Sequence, residues 1–256
     1  LVQKLSSDAG IFALGSAVSR VVQLTASDDE AANNLAHCVL SDVALTQKIL
    51  RLSNSVSYRR ASNTPVTTIS RAIFMLGFDS VKTSALAMLL VDNLSNHKHA
   101  QSIRAELADA LRASLFGREL ARRSNYQDAE EASIAALFKN LGRLLVASHE
   151  HASSRQIDIL VAAGKHSPAE ASAKVLGCSY DELTEAVLTE WDIPETITNA
   201  LRALPAGRQH ATGKRQEWMC QVATFSAEAS KLASRADAEV EAGEQQLLAR
   251  FGTALN

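Results

Sequence analysis

Signals for β-structure are missing from this sequence. No Asn-Gly or Asp-Gly pair occurs, no run alternates apolar with polar residues for the length of a strand, and proline stands at only four positions. A fold based on hairpins, sandwiches or barrels is excluded on those grounds. The three cysteines, Cys38, Cys178 and Cys220, are odd in number and form no C-x-x-C. This argues against a disulfide framework and for buried structural thiols in a reducing cytoplasm. No G-x-x-x-x-G-K-S/T phosphate loop and no G-x-G-x-x-G fingerprint is present, which removes nucleotide binding by those routes. Charge of one sign is lacking too: the formal balance is −2. A general nucleic-acid or anionic-membrane binder would need a basic excess, and the Arg59-Arg60 and Arg122-Arg123 pairs are too short to supply it. The longest apolar run, 84–94, is broken after Val91 by Asp92-Asn93, short of a membrane span, and no signal peptide is visible. The chain opens on Leu1 rather than Met. It is expected to be a piece of a longer polypeptide with further domains outside it.

What is there is apolar material and helix punctuation. Apolar residues are 46% of the 256, enough to core one large domain or two small ones. Leu45, Ile49, Leu52 and Val56 recur at spacings of four, three and four, and Ile69, Ile73 and Leu76 repeat the pattern up to Gly77, a helix stop. Asp128 with Glu131, Ser167 with Glu170, and Ser179 with Glu182 each match a capping box. Pro168 stands in a first helical turn, where its missing N–H is harmless. With alanine abundant, the expected fold is all-α, a compact multi-helix bundle.

Candidate chemical clusters reduce to structural roles. His149-Glu-His151 and His97-Lys-His99 have metal-like composition, but alternate residues of a helix point about 200° apart and do not converge on one ion. His149 and His151 follow an apparent helix, where an imidazole meets the C-terminal dipole. His37 and His166 lack catalytic companions. Cys178 lies near a helix start, where a thiol can become acidic, but no base or partner thiol is close in sequence. Glu182, Glu185 and Glu190 form a solvated flank if Leu183, Val187 and Trp191 face inward. Pro205-Ala-Gly207 and Thr212-Gly213 mark a junction, followed by a helix with Met219, Val222, Phe225 and Ala229 on one face and another ending near Phe251. Those last helices finish the core, form a dimer surface, or lead to a neighbouring module.

Two long signals share an order. Leu45-Thr-Gln-Lys-Ile-Leu-Arg-Leu-Ser-Asn-Ser55, then Tyr58, then Thr67-Thr-Ile-Ser-Arg-Ala-Ile-Phe-Met-Leu-Gly77 give an apolar helix with an L-x-x-x-N-S ending, a loop, and an A-I-x-x-L-G helix. Asn54 can end the first helix in a left-handed conformation, and Ser55 can bond neighbouring backbone. This order resembles the HDOD domain, a bacterial signalling module related to HD-type metal-dependent phosphohydrolases. The likeness continues. Ala136-Leu-Phe-Lys-Asn-Leu-Gly-Arg-Leu144, with Gly142, resembles the family's L-L-H-D-I-G-K-L. Glu170 to Gly177, followed by Glu190-Trp-Asp-Ile-Pro194, resembles E-x-x-x-x-x-x-G and W-x-x-P with Trp191 and Pro194. The resemblance spans residues 14–204, leaving an N-terminal flank at 1–13 and C-terminal helices at 205–256, and it implies an HD-like helical bundle.

The resemblance also implies what has changed. Where metal-binding relatives place a His before a Ser, this chain has Ala113; the His-Asp pair is Lys139-Asn140; a further His is Tyr180; and no His pair stands near Ala203-Leu204. A divalent ion that activates water needs imidazole and carboxylate donors converging on it. Alanine supplies none, and an ammonium within about 4 Å of a dication is repelled by several kcal/mol. No metal and no cofactor is therefore expected. For Lys139 the simpler expectation is an amine that snorkels to solvent; the alternative is an ammonium standing in for the cation and pairing with a carboxylate such as Glu170. The implied function is that of a non-catalytic, cytoplasmic signal-transduction domain acting through a regulatory protein partner. Such modules stand beside response-regulator receiver domains or cyclic-dinucleotide enzymes. Its rivals are a surviving metal-dependent phosphohydrolase acting on nucleotides or phosphodiesters, and a nucleotide sensor that does not hydrolyse.

Overall fold

The computed structural model describes residues 8–24, 30–55, 65–94, 100–124, 129–234 and 237–255. All regular structure among them is helical, so the all-α expectation holds. Val56, Tyr58, Arg59, Arg60, His97, His99 and Asp128 lie outside the described residues. The chain forms two compact units, residues 9–93 and the remainder from Leu94 onward.

The first unit begins with α1 (Ala9–Val22), α2 (Ala31–Leu40) and α3 (Val43–Ser53), followed by α4 (Ile69–Leu76) and α5 (Phe78–Leu94). Ile11, Leu14, Val18, Val21 and Val22 make the buried stripe of α1 at the three-and-four spacing that a helix presents to a core. The end of α1 meets Lys82 of α5, which is 2% exposed and donates to the carbonyls of Val22, at 2.9 Å, and Leu24. Those are carbonyls that a helix terminus leaves unsatisfied. Asp42 caps α3 by accepting from Leu45 N–H at 3.0 Å, and Leu45 and Ile49 are buried as their spacing requires. Gly77 ends α4 at φ 87°.

Asn54 behaves differently from the left-handed ending expected of it. Its backbone stays near φ −92°, ψ 5°. Its amide instead acts as a clamp: Nδ2 donates to Leu50 O and Val66 O, both at 2.8 Å, and Oδ1 accepts from Val66 N–H at 2.9 Å. The side chain thus pairs both backbone groups of Val66, itself buried, just before α4. The asparagine of the L-x-x-x-N-S ending is a splice between the end of α3 and the approach to α4.

The second unit holds α6 (Ala100–Arg123), α7 (Ala129–Phe138), α8 (Leu141–His149), α9 (His151–Ala162), α10 (Pro168–Leu176), α11 (Tyr180–Glu190), α12 (Glu195–Asn199), α13 (Arg215–Leu232) and α14 (Asp237–Phe251). Ala132 to Phe138 are all buried, so α7 is the helix around which α6, α12 and α13 pack. Small residues permit this. A Cβ on Gly117 of α6 would come 2.7 Å from the Ala132 carbonyl, and Ser114 and Ser133 share a hydrogen bond of 2.8 Å across the same interface. Both complete capping boxes fall where the sequence places them, at Ser167–Glu170 and Ser179–Glu182, with Pro168 in the first turn of α10. His149 closes α8, and His151 begins α9. Met219 and Val222 of α13 are buried, and α14 ends at Phe251.

Replacing Asn54 by Ala should cost about 1–3 kcal/mol, because Val66 loses both partners at a buried position. Asn54→Asp should cost at least as much, since it keeps the bond from Val66 N–H but turns an acceptor-only oxygen toward the Leu50 and Val66 carbonyls. Urea denaturation of the two variants checks the order.

Candidate functional site

The residues singled out by sequence divide between the units. Asn54, Ser55 and Gly77 belong to the first. Ala113, Lys139, Asn140, Gly142, Glu170, Gly177, Tyr180, Trp191 and Pro194 belong to the second, and the site is built there.

Lys139 follows the last residue of α7 and is carried into the interior with it. It is buried, at 7% exposure, so the snorkelling expectation is overturned: a helix with no solvent face leaves its terminal side chain no route to water. Its ammonium donates to Leu201 O at 2.7 Å and Arg202 O at 3.4 Å, just past the end of α12, and stands 3.2 Å from the Asp181 carboxylate at the start of α11. The carboxylate partner is therefore Asp181. Glu170 is exposed and committed elsewhere, accepting from Ser167 N–H at 2.8 Å and Ser167 Oγ at 2.9 Å. Those bonds, the backbone one first, hold its carboxyl below the usual carboxylate range.

Three stretches far apart in sequence thus meet at one ammonium: the Lys139-Asn140 turn, the Tyr180-Asp181 start of α11, and the segment leading into Ala203-Leu204. Ala113 is buried on α6, next in sequence to Ser114 and its bond to Ser133. Asn140 begins α8, but its side chain caps nothing, and Nδ2 is buried with no protein partner among the described residues. Gly142 explains the glycine of this motif. A Cβ there would sit 2.4 Å from the Tyr180 carbonyl and 2.8 Å from Thr184 Oγ1, so only glycine lets α8 close on α11. Thr184 completes the join, accepting from Gly142 N–H at 2.9 Å and donating to Tyr180 O at 2.8 Å.

Beyond Tyr180 lies a second polar group that sequence reasoning missed. Arg143 of α8 pairs with Glu106 of α6 at 2.8 Å and Asp158 of α9 at 3.4 Å. The Tyr180 hydroxyl is buried with no protein partner among the described residues. Burial is the main cause that pushes the phenol up to about 12; Asp158 and Glu106 add to the shift and Arg143 opposes it. Nothing linear marks this cluster, since its members are separated by long stretches of chain.

The E-W-D-I-P segment is a helix stop with a definite geometry. Asp192 is left-handed at φ 52°, Ile193 N–H reaches Leu188 O at 3.0 Å and Asp192 N–H reaches Thr189 O at 3.1 Å. This is the Schellman pattern, with buried Leu188 and Ile193 at its two apolar positions and Pro194 following to start α12. Leu183, Val187 and Trp191 are buried, which leaves Glu182, Glu185 and Glu190 on the outer flank.

Thiol chemistry finds no support. Burial raises the pKa of Cys178, with Glu182 adding to it, so the acidic thiol that a helix start could create does not form. Burial likewise raises Cys38 and Cys220, and Cys220 donates to Asn199 O.

The donor set at Lys139 does not fit a divalent ion. One carboxylate, Asp181, reaches it, and the ammonium already engages that carboxylate and the two carbonyls. Among the described residues no three His, Cys, Asp or Glu side chains group as a metal centre. No single helix among them is long and apolar enough to cross a membrane; α4 and α5 reach that length together only across a 116° bend.

An all-helical core, an A-I-x-x-L-G helix and a glycine-closed α8–α11 join define an HD-like helical domain. A profile of the HDOD domain matches residues 11–205, and the chain belongs to the HDOD family. Among solved structures, an HDOD domain protein of unknown function from Geobacter sulfurreducens superposes with TM-score 0.68 at 20% identity, covering 93% of this chain and 83% of its own. A provisionally named phosphohydrolase from Shewanella amazonensis SB2B gives TM-score 0.68 at 16% identity over 98% of this chain and 91% of that one. A provisionally named signal transduction protein from Marinobacter aquaeolei VT8 gives 0.66 at 17% over 90% and 55%. At these identities the likeness is one of fold. A search of curated proteins returned no match.

Gly142→Ala should destabilise by roughly 1–3 kcal/mol or more, because the obstructing atom is backbone carbonyl rather than a movable side chain. Tyr180→Phe tests the buried hydroxyl. The folded phenol titrates near 12, against 10.0 for an unperturbed one. Its contribution to stability is present below pH 10 and is lost as pH rises toward 12, since the unfolded state sheds the proton first. The phenylalanine variant should be as stable as the parent at neutral pH and lose less stability across that alkaline window in denaturant titrations.

Proposed function

We propose that this chain is a non-catalytic regulatory domain that works by presenting its helices to a protein partner. The observation that carries this reading is the Lys139 ammonium, which lies where the family resemblance sets a metal-ligating histidine and is saturated by Leu201 O, Arg202 O and Asp181. A fixed cation in that place does the structural part of a metal's work by joining α7, α11 and the end of α12. It does none of the chemical part, because an ammonium neither lowers the pKa of a bound water to neutrality nor bridges phosphoryl oxygens. The partner is a regulatory protein, or a receiver or cyclic-dinucleotide-signalling domain of a longer polypeptide.

Two measurements test the reading. Elemental analysis of protein purified without chelator or metal-affinity steps should find no stoichiometric transition metal, and incubation with nucleotides and phosphodiesters plus added Mn²⁺ or Mg²⁺ should give no product. Turnover that disappears on mutating a residue of this chain would sink the proposal in favour of a phosphohydrolase. A rise in melting temperature with a nucleotide, without product, would favour a sensor instead, since a ligand that binds the native state raises its apparent stability.

Lys139→Met should destabilise the domain by about 1–3 kcal/mol, because the Leu201 and Arg202 carbonyls and Asp181 lose their shared partner. An unchanged urea midpoint would show that the ammonium holds nothing together.

A further inference from the structure

Outside the Lys139 site, an apolar groove of about 530 Å³ opens between α6, α13 and α14. Phe116 and Leu120 of α6 form one wall, Phe225, Ala229 and Leu232 of α13 the floor, and Leu248 of α14 the opposite edge. The groove is built rather than incidental. Phe225 meets Phe251 edge-on at 5.6 Å, and Arg250 pairs with Glu228 at 2.5 Å, so α14 is pinned to α13. It stays open to water all the same: Leu248 is 67% exposed and Phe116 37%. The family match ends at residue 205, before α13 begins, so two of the three helices around the groove lie outside it.

We infer that this groove docks an amphipathic α-helix of a protein partner, with an aliphatic ridge beside a basic flank. The inference rests on the regulatory reading above and specifies the surface it uses. The length suits a helix. From Phe116 to Arg123, or from Val240 to Leu248, the walls run roughly 10–12 Å at 1.5 Å per residue, about two turns, which is the span of apolar residues at i, i+4 and i+7. The two edges differ in charge. On the α14 side Glu241 and Glu244 are exposed, and Glu244 has no ion-pair partner among the described residues. On the α6 side the charges that line the groove, Glu119 and Arg123, are paired with each other at 2.7 Å. A helix with a basic flank against α14 would match the acidic edge, and reversing that charge would cost affinity and association rate.

The test uses the full chain and a fluorescent three-turn peptide helix bearing leucines at i, i+4 and i+7 and lysines on one flank. Anisotropy should show saturable binding that Leu248→Asp and Phe116→Ser each weaken at least about tenfold and Glu244→Lys weakens about threefold or more. A peptide with serine in place of the leucines should not bind. Because both apolar positions are part-exposed, the melting temperature of each variant should stay near that of the parent, which separates lost docking from lost folding. Absence of saturation, or binding that ignores Leu248→Asp, overturns the inference. So does a reversible dimer in sedimentation that Leu248→Asp dissolves, which would make the groove a self-interface. None of these failures touches the non-catalytic reading, which only metal content and turnover can overturn.

Discussion

The second unit depends on one constraint: α7 has no solvent face. From Ala132 to Phe138 every residue is buried, and a helix in that position must be covered on all sides by elements that can come close. Ala113, Ser114 and Gly117 make α6 narrow enough to do so, and α12 and α13 cover what remains. The same constraint creates a difficulty at the end of α7. A helix that stops inside a protein carries polar backbone into low dielectric, where each unpaired group costs of order 1–3 kcal/mol.

The same difficulty at two other helix ends is met by a lysine, one in each unit. Lys139 brings an ammonium to the carbonyls past α12, and Lys82 brings one to the carbonyls at the end of α1. Helix C-termini carry partial negative charge, so a cation there is favoured over one elsewhere in the interior. A buried ammonium is costly unless its donors are used, and these two are used on backbone that would otherwise be orphaned. Asp181 adds a full countercharge at Lys139. The result is a tie between three elements without directional coordination chemistry.

This arrangement bears on what a cation contributes to an HD-related fold. A metal in such a bundle has a structural effect and a chemical one, and an ammonium can replace the first without the second. Gly142 keeps the α8–α11 join tight whatever occupies the neighbouring position, because that approach depends on the missing Cβ and on Thr184. With the bundle held together in this way, its outer surfaces are free to differ. The groove beside α14 is lined by none of the residues that hold Lys139.

The chain's local chemistry determined where several helices begin and end. The Ser167–Glu170 and Ser179–Glu182 boxes, Pro168, Gly77 and the buried stripes containing Leu45, Ile49, Ile69 and Ile73 all act within a few residues, so one-dimensional spacing contains them. The family likeness, carried by short motifs of the same kind, was legible for the same reason. Tertiary structure alone decided the rest. A helix buried all round has no polar face, so α7 shows no periodicity to reveal its central place. Asn54 looked like a left-handed stop but bonds Val66 across a loop, and Lys139 looked like a surface amine although its exposure depends on what covers α7. Asp181, Arg143 with Glu106, and the carbonyls of Leu201 and Arg202 become partners only once α6, α8, α11 and α12 are packed. Burial and long-range pairing are properties of the folded whole, and no local stretch of sequence encodes them.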